Sequence, residues 1–220
     1  MARILNSRSS KAKTPTKRAR TTPRKQPTQS RSQATVEAIL SATARILVRD
    51  GYEHASTNRV AEEAGVSVGS LYQYFPGKEA LVAALIDVHR AKIMDLLRSK
   101  LAEVADESPR VATRALVSAL VDAHAIEPKL HRVFAEQLPR VGRLRQRIED
   151  VQVTACEMVR PYLELHRDKV RPRDLDLATF VVVHTVEALA HSGIVDAAPP
   201  IDRETLTDEI TDIVIRYLVE

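Results

Sequence analysis

The sequence predicts an all-α protein, and three observations carry that expectation. Ala, Leu, Val, Arg and Glu dominate while glycine is rare, a mix that favours helix. Apolar residues recur at three- and four-residue spacing over long stretches, and no segment alternates with period two beside turn chemistry. Pro109, Pro128, Pro139, Pro172 and the pair Pro199-Pro200 punctuate the second half at helix-length intervals, as proline does in first helical turns and just past helix ends. The pattern divides the chain into a tail (1–29), a small three-helix unit (30–77) and a larger helical domain (78–220).

Residues 1–29 hold Pro15, Pro23 and Pro27, many Ser and Thr, and almost no large apolar residue. Such a stretch buries too little surface to offset its ordering entropy and reads as a disordered basic tail. Ten of the 33 Lys and Arg lie in residues 1–36 and no acid does, which leaves the remainder with 23 basic and 29 acidic residues, a net of −6. A basic segment beside an acidic body points to a polyanion at that end. The tail is either an arm that adds phosphate affinity through counterion release or a solvated passenger. It has no apolar stretch of the kind a secretory signal carries, and only Ile4 and Leu5 offer the apolar face of a transit peptide.

A first helix starts near Ser30, where Ser30 and Gln33 fit a weak capping box. Val36, Ile39, Leu40, Thr43, Leu47 and Val48 form its apolar stripe. Arg49 lies in its last turn, and Asp50-Gly51 ends it with a C′ glycine. In "STNRVAEEAG", Ser56 or Thr57 caps a short helix that turns Val60, Ala61 and Ala64 inward and stops at Gly65. Ser67 caps a third helix from Val68 to Tyr74 or Phe75. Two short helices joined by a Gly-containing turn outline a helix-turn-helix. The third helix is too short to stand alone. Val66, Leu71 and Phe75 pack it on the first two, leaving Ser70, Tyr72, Gln73 and Tyr74 outward, where a DNA major groove would meet them. Gly69 permits close approach, the hydroxyls suit phosphate oxygens, and Gln73 can pair with an adenine edge. Lys78 follows Pro76-Gly77 in the first turn of the fourth helix. With the free backbone N–H groups there it makes an anion site. A cation in that place opposes the helix dipole and taken alone reads as a solvated lysine, but directly behind a helix-turn-helix the phosphate role is the favoured reading.

The stretch "ASTNRVAEEAGVSVGSLYQYFPGKEALVAALI" resembles the DNA-binding signature of the TetR family of bacterial transcriptional regulators. The match runs from about Thr35 to Ile86 and includes the "AEEAGVS" turn, the "LYQYF" recognition helix and the "GKEAL" entry to the fourth helix. The resemblance implies phosphate contacts at Thr57, Tyr72, Tyr74 and Lys78, and groove-facing positions at Asn58, Val68, Gly69, Ser70 and Gln73. Gly65, Leu71 and Phe75 become structural. It also implies a homodimer formed by the last two helices, and an inducer pocket enclosed by the helices between Leu81 and about His166. The basic tail is longer than the family core requires.

Beyond Lys78, Leu81, Leu85, Val88, Leu96, Leu97, Leu101 and Val104 carry one helix to about Ala105. Pro161 interrupts an apolar pattern from about Arg143 to Leu165, which predicts a kink or a split helix. In "DLDLATFVVVHTVEALAHSG", Leu177, Phe180, Val181, Val183, His184, Ala188 and Leu189 spread over most of the circumference. In "RETLTDEITDIVIRYLVE", Leu206, Ile210, Ile213, Val214, Tyr217 and Leu218 form a stripe. A helix apolar on more than one face is buried on more than one side, and a two-fold dimer also suits paired DNA half-sites. Candidate liners of an effector pocket are Ile93, Leu97, Leu120, His124, Phe134, Leu138, Met158 and Tyr162. Such a pocket would be mostly apolar with a few polar groups, although ordinary core packing accounts for any one of them.

His124-x2-Glu127-x3-His131 recurs as His184-x2-Glu187-x3-His191. Histidines at i and i+7 share a helix face, the raw material of a metal site. Pro128 interrupts the first trio, and a rise of about 10 Å separates the two histidines, so neither a metal nor any other cofactor is expected. A pH-sensitive or ligand-polar role suits a single histidine better. G-x-S-x-G, a Walker loop, H-E-x-x-H and C-x-x-C are all absent, which argues against an enzyme. No apolar run approaches the roughly 20 residues of a membrane helix, because His184, Glu187 and His191 interrupt the longest. The lone Cys156 allows no internal disulfide framework and suits a reducing cytosol. The sequence therefore predicts a cytoplasmic, ligand-responsive DNA-binding regulator, a repressor released from its operator by a small molecule. A constitutive or activating DNA-binding regulator is the alternative.

Overall fold

The second and third helices begin at the serine caps written in the sequence, Ser56 and Ser67. In a computed structural model, which describes residues 30–138, 141–199 and 201–219, α1 spans Ser30–His54, α2 Thr57–Glu63, α3 Val68–Tyr74 and α4 Lys78–Glu103. The larger half follows as α5 Pro109–Ile126, α6 Pro128–Glu136, α7 Gly142–Leu165, α8 Leu175–His191 and α9 Arg203–Leu218. A π-helical turn, Ser192–Asp196, continues α8. No strand occurs among the described residues. The basic tail, the Ser30 side chain of the expected capping box, Pro139 and Pro200 lie outside them.

Gly51 adopts φ 77°, a backbone that side-chain-bearing residues avoid, and there α1 breaks before a last turn to His54. Pro109 and Pro128 occupy first-turn positions, where the missing N–H would have had no partner anyway. Three expectations change. Val48, Val88 and Leu96 are exposed rather than part of their apolar stripes. Helix α7 runs unbroken through Pro161, which is exposed close to the C-terminal end. The stretch Leu175–Asp196 is, by length and composition, long and apolar enough to cross a membrane; here it packs on α5, α7 and α9.

Two main cores hold the molecule. The first joins Ile39, Ile46, Leu47, Val60, Leu71 and Phe75 of α1–α3 to the residues Ala80–Ile86 of α4. It also takes in Leu130, Val133, Phe134 and Leu138 from α6 and just beyond, and Leu144 of α7. Burial therefore crosses the expected boundary at residue 77, and α6 is built into the same core as the small head. The second core is formed by α5, α7, α8 and α9, with Val117, Val121, Leu163, Ile210 and Val214 among its most deeply buried large side chains. The π-turn approaches α9 so closely that a Cβ on Gly193 would stand 2.6 Å from Leu206 Cδ2. A smaller cluster of Met94, Leu97 and Ala119 lies between α4 and α5.

Candidate DNA-reading face and effector cavity

The small head is assembled from local bonds first. Ser56 Oγ accepts from Arg59 N–H at 3.3 Å and opens α2. Gly65, at φ 66°, closes it, with the Gly65 N–H on Glu62 O at 3.1 Å and the Val66 N–H on Ala61 O at 3.0 Å. Ser67 Oγ then accepts from Ser70 N–H at 3.0 Å and starts α3. Leu71 and Phe75 are buried beneath α3. Its other side presents Val68, Gly69, Tyr72 and Gln73, all exposed. A Cβ on Gly69 would meet only Ser67 Oγ, at 3.9 Å, so packing within the chain does not require a glycine there.

The predicted contact residues do not all stand at the surface. Asn58, Val68, Gly69 and Gln73 stand at the surface. Ser70 is half-buried, its hydroxyl 2.8 Å from that of Ser67. Thr57 and Tyr72 meet each other, Thr57 Oγ1 lying 3.1 Å from the Tyr72 hydroxyl, which ties the start of α2 to α3. Tyr74 is half-buried against the head's core. Lys78 lies in the first turn of α4 as anticipated, but its ammonium is turned inward. It donates to Tyr52 O at 2.9 Å and sits 4.2 Å above the centre of the Tyr52 ring. There it satisfies a carbonyl at the end of α1, a favourable place for a cation. The N-cap of α4, Gly77, makes no side-chain capping bond, so the first amides of α4 remain open.

An ion-pair network that the sequence did not reveal clamps α2 to α1. Arg45 and Arg49 both bond Glu63, at 2.9 and 3.2 Å, and Arg59 bonds Asp50 and the His54 carbonyl. Hydrogen bonds from Arg45 and then Arg49 hold the Glu63 carboxyl below its ordinary range. These partners lie far apart in sequence, and no spacing rule pairs them.

Between α4, α5, α7 and α8 lies a cavity of about 230 Å³. Ile93, Leu97, Leu120, His124, Phe134, Met158 and Tyr162 line it. Leu138 does not: it is fully buried in the core shared by α1 and α6. The cavity also exposes polar groups that were not anticipated, namely His89 and Arg90 of α4, His131 of α6, Gln152 of α7, and Glu187 and His191 of α8.

The histidines converge because α5 does not continue into α6. Glu127, at φ −135° and ψ 59°, separates the two helices. The rings of His124 and His131 therefore stack with centres 4.5 Å apart, well inside the separation expected from an unbroken helix. His89 Nε2 lies 3.1 Å from His131 Nε2, and His191 meets His124 edge-on. His184, the remaining member of the second trio, stays apart on Phe180. No group of three such side chains among the described residues is disposed to hold a metal ion.

Electrostatics separates the histidines. Burial, then the charges of His124, His89 and His191, pushes His131 down to about 3. Burial also lowers His89, with Lys92 and His124 adding to it against Glu127. For His124, burial pulls downward, but hydrogen bonding and charge from Glu187, with the Leu120 carbonyl, raise it on balance. Its Nδ1 lies 2.9 Å from Leu120 O and its Nε2 3.3 Å from Glu187 Oε1, so both ring nitrogens face acceptors. The Nε2 approach to Glu187 lies outside ideal hydrogen-bond geometry, a bent, charge-assisted contact.

Comparison with known proteins follows the same division of the chain. Residues 39–85 match the family described as "Bacterial regulatory proteins, tetR family", and residues 108–218 match "Tetracyclin repressor-like, C-terminal domain". The HTH-type transcriptional regulator YuxN of Bacillus subtilis is 26% identical over 132 residues, which is 60% of this chain and 43% of that one. The HTH-type transcriptional repressor KstR of Rhodococcus jostii is 28% identical over 144 residues, 59% of this chain and 64% of its own. The chain thus spans less than two thirds of the length of each. A solved complex of SmeT with triclosan aligns over 86% of this chain and 93% of its own, with a TM-score of 0.69 and 18% identity, a likeness of fold.

Proposed function

This chain belongs to the tetR family of bacterial regulatory proteins, and on that premise we propose that it is a homodimeric repressor whose operator is released when a small, largely apolar molecule fills the cavity. It acts as a transcriptional regulator rather than an enzyme. The observation that carries the reading is the two-sidedness of α3, with Leu71 and Phe75 buried under it and Val68, Gly69, Tyr72 and Gln73 facing out. A helix held from behind in this way is a rigid probe for a major groove. Asn58, Val68, Gly69, Ser70 and Gln73 then face bases, while Thr57, Tyr72 and Tyr74 serve phosphates. Lys78 contributes charge beside the uncapped amides of α4, which take the phosphate directly.

The tail (1–29), the head (30–77) and the larger domain (78–220) divide the labour, with operator DNA outside and the effector inside. Exposed Leu177 and Phe180 on α8 and Ile213 on α9 form an apolar surface that a second copy would cover. Such a dimer places two heads on two half-sites. That work is done in the cytoplasm, where the operator is. A solved structure of the same fold holds triclosan, which supports a small-molecule effector here.

Helix α6 connects the two activities. His131 and Phe134 line the cavity, while Leu130 and Val133 belong to the head's core. Gln137, just past α6, accepts from the Tyr52 N–H at 2.8 Å. A ligand that prefers one position of α6 biases the heads by its difference in affinity for the two states, and by no more.

The test begins with a footprint of the operator, followed by binding titrations with and without candidate ligands. Specific, salt-sensitive binding that a ligand weakens is the expected result. Operator affinity that no cavity-filling ligand alters would make the protein a constitutive regulator.

A further inference from the structure

Most charged and imidazole groups of the cavity lining stand toward the head, beside Ile86 and Phe134, and the far end is chiefly apolar. Helix α4 leaves the head at Lys78, so His89 and Arg90 line the cavity nearer the head, and Ile93, Met94 and Leu97 line it farther away. Helix α5 runs the opposite way, with Pro109, Leu116 and Val117 far from the head and His124 near it. On α7, Gln152 precedes Met158, Tyr162 and Leu163 in the same direction. An amphipathic molecule that lies along the bundle with its polar end toward the head matches this distribution.

The charge of that polar end is set by what is already paired. Glu187 faces His124 at 3.3 Å. Asp87, one turn before Arg90, is bonded to Arg147 of α7. His89 and His131 share a contact between their Nε2 atoms. Arg90 is half-buried, lines the cavity, and has no hydrogen-bond or ion-pair partner among the described residues. Gln152 beside the cavity is likewise without one. Arg90 thus brings to the lining a full positive charge with no acceptor among the described residues.

We propose that the effector is an amphiphile with a single carboxylate head, which pairs with Arg90 at the head-proximal end of the cavity while its apolar tail runs toward Leu97, Met158 and Tyr162. Arginine presents two parallel donors that match a carboxylate, and the Gln152 amide supplies a further donor. A cationic amphiphile meets a like charge in the same place. An uncharged one leaves Arg90 unpaired.

The inference rests on the cavity being the effector site, and its test is read on binding itself. Titration calorimetry of the full chain compares decanoate, 1-decanol and decyltrimethylammonium below micelle-forming concentrations. Decanoate should bind about tenfold or more tighter than decanol, the gain of one charge-assisted pair, and the cation should not saturate. Arg90→Gln should remove that preference while leaving decanol affinity nearly unchanged. Arg90→Lys, which keeps the charge, should retain part of it. Equal affinity for decanoate and decanol, preference for the cation, no saturable binding of any of the three, or an unchanged ratio in Arg90→Gln would each overturn the proposal. Decanoate that binds through Arg90 but leaves operator affinity untouched would instead refute the ligand-released repressor and leave the head-group assignment standing.

Discussion

At the scale of single residues, the outward positions of α3 separate by what they do. Removing the Gln73 amide should relax the operator at one base pair, costing about 1–3 kcal/mol of discrimination there. Site selection with Gln73→Ala checks this, and an unaltered selected site would remove Gln73 from base reading. Tyr72→Phe should weaken binding to every sequence alike, since it removes the hydroxyl proposed to serve phosphate together with its tie to Thr57 Oγ1. Lys78 carries a sharper expectation than its sequence context suggested. Because its ammonium bonds Tyr52 O, Lys78→Ala should lower thermal stability by about 1–2 kcal/mol as well as weaken DNA binding. An unchanged melting curve would mean that the bond contributes nothing. His131 should make the stability of the fold pH-dependent. Its ring titrates near about 6.5 when unfolded and is pushed to about 3 in the fold. The depressed value means that its contribution to stability is complete above the unfolded pKa and is lost as pH falls toward the folded one. His89 acts in the same sense, and His124, whose value is raised, in the opposite one. Melting temperatures between about pH 7 and pH 5 should therefore fall less steeply in His131→Gln than in the parent, a comparison that isolates His131 from its neighbours.

At the scale of elements, α6 is the piece whose role the sequence hid. Its nine residues are too few to be stable alone, and it exists by packing on the head on one side and the cavity on the other. Gln137 plugs the break in α1, bonding the Tyr52 N–H and standing 3.1 Å from where a Gly51 Cβ would be. Gln137→Ala should cost about 1 kcal/mol in stability and blunt ligand-induced release of the operator without changing ligand affinity. Titrations of ligand and of DNA on the same preparation decide this. Release as complete as in the parent would exclude Gln137 from the coupling. By contrast α2 and α3 were legible almost residue by residue, because Ser56, Gly65 and Ser67 act on backbone groups within a turn of themselves.

At the scale of the whole molecule, the question is what covers α8 and α9. Leu177 and Phe180 are 56% and 54% exposed, while Ile210, Val214 and Leu218 of α9 are already used inside the chain. Phe180→Asp should convert a dimer to a monomer, measured by sedimentation, and should lower operator affinity far more than a single phosphate contact would, since the second half-site is lost. A Phe180→Asp protein that sediments as the parent does would place the interface elsewhere. The membrane-like composition of Leu175–Asp196 has its counterpart here, in a helix apolar toward both the chain's own core and its exposed side.

The sequence by itself determined the helical class, the caps at Ser56 and Ser67, the turn at Gly65 and the burial of Leu71 and Phe75 beneath α3, whereas Tyr74, expected outward, is half-buried against the head's core. Those features obey periodicity and capping, which act over three or four residues. Only the tertiary structure decided that Lys78 turns toward Tyr52, that Leu138 belongs to the head's core rather than the cavity, and that α7 passes through Pro161. It also brought His89, His124, His131 and His191 together and left Arg90 without a partner among the described residues beside them. Those outcomes depend on where a helix ends relative to a neighbour far away in the chain. The break at Glu127 folds two histidines onto one another, and no local rule measures the distance that packing across a bundle creates.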